Sequence, residues 1–405
     1  MAARAGKRMR LAGDLGHLTW CMNIHSTESW AECRAALTGP VAEVKRALEG
    51  RYSAAGGFAV GFRFSARAVE DLAEDEARAD LAAIISAHAY NPITVNGFPY
   101  GPFHGVRVKE EVYQPDWTRP ERLAYTNALA DLMAGLNPEG SFVSLSTVPG
   151  TYRPLATGRE SEMALNMLKA AAHLVGLRER TGVTIALAIE PEPRCFLETI
   201  AEAVAFFEQH LFSDTAAAML ARSTGLSLSE AADALPRHLG LCYDICHAAV
   251  EFEDPAGSVQ ALRRAGIPVH KLQLSNALRV PAMNADARAR LADFDEPTYL
   301  HQVVSRADGK LRHMVDLAPA LARTDSDGEE WRVHFHVPLF AREIPPFATT
   351  QDFLREILTL HCAQPISPHL EVETYTWSVL PPELRGPSIA QDIVRELDWV
   401  LDQLS

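Results

Sequence analysis

The chain has 405 residues, 47% of them hydrophobic and 22% charged, a composition that supports a large buried core. Its formal net charge of −14 excludes the clustered Lys and Arg that a nucleic-acid binder needs. The six cysteines (Cys21, Cys33, Cys195, Cys242, Cys246 and Cys362) contain no Cys-x-x-Cys pair and exclude a disulfide scaffold, which predicts a reducing compartment. Residues 1–10 are basic with no apolar run behind them, so no secretory leader is expected. No stretch is long and apolar enough to span a membrane, and a cytoplasmic location follows as the expectation.

In chain order, short apolar runs alternate with amphipathic ones. Strand-like segments are predicted over 18–24, 58–64, 93–96, 142–147, 183–189, 239–244, 269–274 and 368–375. Between them the spacing predicts helices over 29–48 (broken at Gly39-Pro40), 66–88, 119–136, 160–180, 197–212, 227–235, 255–265 and 350–360, with a closing helix over 389–404. The region 277–330 breaks this rhythm. It reads as charged loop with a hairpin over 305–314 turning at Asp308-Gly309, and a further strand is predicted over 332–339. Eight strand–helix units predict an α/β (β/α)8 TIM barrel filling residues 1–405, with a long insertion over 277–340 between strands seven and eight. The competing doubly wound sheet lacks a Gly-x-Gly-x-x-Gly after any early strand.

In such a barrel the chemistry sits at the C-terminal strand ends. Leu241-Cys242-Tyr243-Asp244-Ile245-Cys246-His247 delivers a carboxylate and, three residues on, an imidazole, a pair able to close on one metal ion. Strand five ends in Glu190 and then Glu192, strand seven in Gln273 and Asn276, and strand eight carries Glu371 and Glu373, two apart and therefore on one face. Either of the last two can be the ligand, with Glu371 preferred. The early strands contribute His25, Asn96, Tyr100 and His104 as substrate-binding candidates. So many polar strand ends on one rim are costly unless they serve a site. In the insertion, His334-Phe335-His336 places two imidazoles on one face, able to reach a metal or to sit in solvent, with Val333, Phe335 and Val337 opposite.

The series Glu190, Asp244-x-x-His247, Gln273 and Glu371 resembles the xylose-isomerase-like barrel superfamily of sugar isomerases, epimerases and abasic-site endonucleases. The resemblance implies a divalent metal held by strands five to eight. A closer resemblance runs from end to end: Leu18-Thr19-Trp20-Cys21-Met22-Asn23-Ile24-His25, Asn96-Gly97-Phe98-Pro99-Tyr100-Gly101-Pro102-Phe103-His104-Gly105, Lys271-Leu272-Gln273-Leu274-Ser275-Asn276-Ala277, His334-Phe335-His336-Val337-Pro338 and Leu370-Glu371-Val372-Glu373-Thr374-Tyr375-Thr376-Trp377. Together these are similar to EboE-type metabolite traffic proteins, which implies a role in secondary metabolism beside other cluster-encoded enzymes. Gln273 stands where the superfamily offers a histidine. A neutral amide oxygen there would favour Mg²⁺ or Mn²⁺ over zinc, unless His334 or His336 supplies the nitrogen or the metal has been lost.

The leading expectation is a divalent-metal-dependent isomerase or epimerase. It would act on a small sugar-like or secondary-metabolite precursor, with Glu190 and Glu371 moving a proton through an enediolate. The metal set is Glu190, Asp244, His247, Gln273 and Glu371, with His334, His336 and Glu373 as additional metal or substrate residues. The alternatives are a non-catalytic metabolite carrier and, last, a metal-dependent phosphodiesterase, against which the −14 charge weighs. A small-molecule metabolite and a homodimer are the expected partners, with no nucleic acid.

Overall fold

The computed structural model describes residues 7–8, 10–49, 52–53, 57–105 and 107–404. Residues 1–6, on which the expectation about a leader partly rests, lie outside the described residues. Eight parallel strands form the barrel: β1 His17–Trp20, β2 Phe58–Arg63, β3 Tyr90–Asn96, β4 Phe142–Thr147, β5 Thr184–Ile189, β6 Leu239–Asp244, β7 Val269–Leu274 and β8 His369–Val372. Their order is sequential from β2 round to β8, which pairs with β1. Between β1 and β2 the ring closes through a single bridge, Cys21 to Gly61, with the Thr19 hydroxyl donating to the Ala59 carbonyl at 3.0 Å. A Cβ on Gly61 would lie 2.6 Å from the Trp20 carbonyl oxygen and 1.9 Å from Glu371 Oε1, so only glycine lets the strands meet over that carboxylate.

The helices form where the sequence offers start signals. Ser29, Thr199 and Ser227 each build a capping box with the glutamate three residues on, opening the helices Trp30–Thr38, Ile200–Phe206 and Leu228–His238. Three departures from the sequence reading have local causes. The predicted helix over 66–88 is two, Ala66–Asp71 and Asp75–His88. The first strand stops at Trp20, where a 3-10 turn over Met22–Ile24 turns the chain. Asp244 does not lead into a loop: its side chain accepts the His247 backbone N–H and caps the helix Ile245–Val250, so His247 stands on a helix.

The insertion is more ordered than its charged sequence predicts. It forms part of a six-stranded antiparallel sheet in which Glu330–His336 lies between Val303–Ala307 and Ala277–Val280, and Phe347–Thr349, from beyond residue 340, pairs along the other edge of Ala277–Val280. The predicted hairpin is present as Val303–Ala307 against Lys310–Met314, with Asp308 and Gly309 both at positive φ. Leu278, Trp331, Val333 and Phe335 form a separate apolar core under this sheet, and the opposite face of Glu330–His336 turns His334 and His336 toward the barrel mouth.

The barrel interior is polar from floor to rim, in layers set by the two-residue repeat of the strands. At the bottom, Ser144 Oγ lies 2.9 Å from His369 Nδ1 and donates to Thr94 Oγ1 at 2.7 Å. One layer up, Lys271 makes an ion pair with Glu371 and donates to Ser146 Oγ at 3.2 Å, all three buried. The next layer holds Gln273 and Glu373 and opens into the mouth.

Candidate metal centre

The sequence-predicted residues separate at this depth. Glu371 and Glu373 share a face, but one strand repeat of about 6.6 Å lies between them. Glu371 stays in the interior, committed to Lys271. Burial raises its carboxyl and the lysine acts against this; burial alone would lower Lys271, and the Glu371 carboxylate outweighs it and holds the ammonium above its ordinary range. The carboxylate that meets Glu190 and Asp244 at the rim is Glu373. Its Oε1 accepts from Asn23 Nδ2 at 2.6 Å and Asn96 Nδ2 at 3.2 Å, and its Oε2 accepts from Gln273 Nε2.

Gln273 Nε2 also donates to Glu190 Oε1 at 3.3 Å, so the amide nitrogen lies between the two carboxylates, and its oxygen accepts from Cys242 Sγ at 3.3 Å. As placed, Gln273 bridges the glutamates through its amide N–H groups, and its oxygen is taken up by Cys242. Burial raises the Glu190 carboxyl well above its usual range, with the Glu373 and Asp244 charges adding to the effect. Glu373 is raised as well, by burial and then Asp244, though the amide hydrogen bond from Gln273 opposes the shift.

Beside this acidic group, three imidazoles converge. His247 Nε2 is 3.1 Å from His334 Nε2, which is 3.3 Å from His336 Nε2. The other nitrogen of each ring is committed. His247 Nδ1 donates to the Pro191 carbonyl at 2.9 Å and His336 Nδ1 to the Glu373 carbonyl at 2.6 Å. His334 Nδ1 donates to Gln302 Oε1 at 2.7 Å, an amide oriented by its own donation to the Pro193 carbonyl at 3.1 Å. Carbonyls only accept, so each Nδ1 carries the proton, and lone pairs face one another across the His247–His334 and His334–His336 contacts. Facing lone pairs repel unless a cation lies between them. A proton would answer one of the contacts at most, and it is disfavoured: burial lowers the proton affinity of all three rings, and His336 falls to about 4.

Asp244 adds an oxygen. Its Oδ1 is used by the His247 backbone N–H at 3.0 Å and the Ser275 hydroxyl at 2.6 Å, whereas its buried Oδ2 has no hydrogen-bond partner and lies 3.9 Å from His247 Nε2. Imidazoles held through Nδ1 by carbonyl oxygens, with a carboxylate oxygen left over, are the donor set of a transition-metal site. Glu192 stands behind His334 with its Oε1 3.8 Å from Nδ1; burial pushes its carboxyl up to about 8 against the hydrogen bonds of Tyr113 and Gln302.

The remaining candidates take supporting places. Asn96 lines the cavity of about 60 Å³ that opens above the carboxylates. His104 Nε2 donates to the Asn23 carbonyl at 2.5 Å and its Nδ1 accepts from Tyr299 at 3.1 Å, which fixes the β1 rim from behind. His25 is buried near His104, and burial lowers it to about 4. Tyr100 packs edge-on against Tyr125, with centroids 5.1 Å apart, away from the cavity. Gln302 and Tyr113 carry no motif, and their part in orienting His334 and Glu192 arises from contacts across 32 and 79 residues of chain.

No family model matches the chain, and no curated protein matches it. Among solved structures it is similar to the IOLI protein with a bound zinc atom, at 15% identity over 96% of this chain and 98% of that one, with a TM-score of 0.48. It is also similar to a xylose isomerase-like TIM barrel protein from Mycobacterium smegmatis in complex with magnesium, at 10% identity over 96% of each chain and a TM-score of 0.47. A D-tagatose 3-epimerase-like protein is 13% identical over 85% of this chain and 88% of that one, with a TM-score of 0.43.

Proposed function

We propose that this chain is a divalent-metal-dependent isomerase or epimerase, one barrel domain with the 277–340 insertion completing its site. The observation that carries the reading is the convergence of three Nε2 lone pairs and the unpartnered Asp244 Oδ2 beside two carboxylates. His247, His334, His336 and Asp244 would hold the ion, and a set of three nitrogens and one oxygen favours zinc over Mg²⁺. When bound, such an ion polarises a carbonyl and its neighbouring hydroxyl and makes the C–H between them acidic.

The protein's own residues would then divide the proton transfer between them. Glu373 receives three hydrogen bonds, which favour its carboxylate, and serves as the base. Glu190 has one buried oxygen without a partner, and burial with the Glu373 and Asp244 charges raises its carboxyl well above its usual range; it stays protonated and returns the proton from Oε2. Gln273 Nε2, donating to both, would keep them from repelling apart. Burial of the whole group excludes competing water. Glu373 thus takes the role first given to Glu371. The motif resemblance to EboE-type metabolite traffic proteins supports a secondary-metabolite precursor as the substrate.

The test is elemental analysis together with solvent-deuterium exchange into α-hydroxyketones and ketoses. About one ion per chain, lost in a His334→Ala/His336→Ala variant, and exchange abolished by Glu190→Gln, are expected. A chain that takes up no ion from zinc or manganese solutions overturns the reading; an ion without exchange assigns a metabolite carrier instead.

A further inference from the structure

The cavity above the proposed centre has two unlike halves. Its floor is polar: Glu190 Oε2 and Asn23 Oδ1 are buried with no hydrogen-bond partner, and both residues line the space. Its walls are apolar. Phe98, Phe103, Val108, Tyr299, Leu300 and Tyr375 face it, and Phe103, Tyr299 and Tyr375 form a triangle with ring centroids 5.1 to 5.4 Å apart. The wall hydroxyls that have partners are already engaged, Tyr299 with His104 Nδ1 at 3.1 Å and Tyr113 with Glu192 Oε1 at 2.8 Å.

Among the described residues lining the cavity there is one lysine and no arginine, and Lys109 Nζ is held by Asp316 Oδ2 at 2.6 Å. A phosphate would find no free cation there and would face Glu190, Glu192 and Glu373. A free sugar, with hydroxyls all around, would have to strip water from several of them against carbon walls, each an unpaired polar group. A molecule with a carbonyl and a hydroxyl at one end, to accept from the Glu190 carboxyl and donate to Asn23 Oδ1, and an apolar ring at the other satisfies both halves.

We infer that the site takes an uncharged aryl or alicyclic α-hydroxyketone, the ring against Phe103, Tyr299 and Tyr375 and the hydroxyl end on Glu190 and Asn23. The inference rests on the proposed proton transfer for its chemistry. The corresponding reaction, R–CO–CH₂OH to R–CH(OH)–CHO, moves one proton from carbon to carbon and one between oxygens, with no oxidant or co-reactant.

The test is calorimetric titration of the metal-loaded protein with 2-hydroxy-1-phenylethanone, D-fructose and dihydroxyacetone phosphate. The aryl ketone is expected to bind at least tenfold more tightly than either of the others, and Phe103→Ser to weaken it fivefold or more. Equal or tighter binding of the sugar or the phosphate, no binding of the aryl ketone, or an unchanged affinity in Phe103→Ser overturns the inference. Titration does not require turnover, so failure of the isomerase reading is separable: it leaves binding without conversion. Failure of this inference alone leaves deuterium exchange into ketoses with no preference for the ring.

Discussion

Replacing Lys271 with methionine separates the buried ion pair from the site above it. Lys271 and Glu371 both have fully buried side chains, and the ammonium has Ser146 Oγ as a further partner. Methionine fills the volume of the lysine stem but leaves the Glu371 carboxylate without its counter-charge. Breaking a buried pair from one side costs about 3–5 kcal/mol, whereas replacing both partners with apolar groups of similar size is close to neutral. With an unfolding entropy of about 2.1 cal/mol/K per residue, this chain length converts that cost to a fall of about 4–6 °C in Tm. Calorimetry or denaturant melts of Lys271→Met and of Lys271→Met/Glu371→Leu read the effect. The single variant should show the loss and the double variant should recover most of it, with the bound metal retained in both. A Lys271→Met protein as stable as the parent, or a double variant no better than the single, refutes the ion-pair reasoning. A folded double variant that has lost its metal would return Glu371 to the site.

Removing either insertion imidazole, His334→Ala or His336→Ala, should weaken metal binding by tenfold or more by competition with a chromophoric chelator, since each supplies one of three nitrogens. Glu373→Gln should retain the ion but slow turnover or deuterium exchange by about 10²–10⁴-fold, the range for a lost general base. Gly61→Ala should lower Tm sharply or prevent folding, because the new Cβ meets the Trp20 carbonyl oxygen at 2.6 Å as well as the Glu371 carboxylate. Burial lifts Glu396 to about 8, although the Leu339 N–H and the Thr374 hydroxyl both donate to it. Its folded-state affinity for a proton exceeds the unfolded one, so stability is fully present below about pH 4.5 and is lost as pH rises through about 8, by about 3–5 kcal/mol at 1.36 per unit. Glu396→Gln should flatten that decline in melts between pH 6 and 9, and an unchanged slope would refute the assignment.

Much of this molecule is decided locally, and those parts are legible in the chain. The barrel strands are runs buried on both faces, so their apolar letters and lengths identify them, and Leu239–Asp244 and Val269–Leu274 fall where the pattern places them. The direction of each strand-end side chain follows from the two-residue repeat, which is why Glu190 and Asp244 stand out, and why His334 and His336 read as a pair opposite Val333 and Phe335. Depth is a different quantity. Glu371 and Glu373 have the same direction, and only the stagger of neighbouring strands puts one opposite Lys271 and the other opposite Gln273 and Asn96. The fate of the insertion is likewise a tertiary matter. Its sequence specifies an amphipathic strand, but burial of one face on its own sheet is what presses the other face, with two imidazoles, onto His247. The tautomers depend on carbonyls of Pro191 and Glu373 and on the Gln302 amide, groups brought in from three separate loops and invisible to any local pattern. The chain by itself determines which side chains reach the barrel axis; the packed structure decides at what height they meet and which lone pairs are left facing one another.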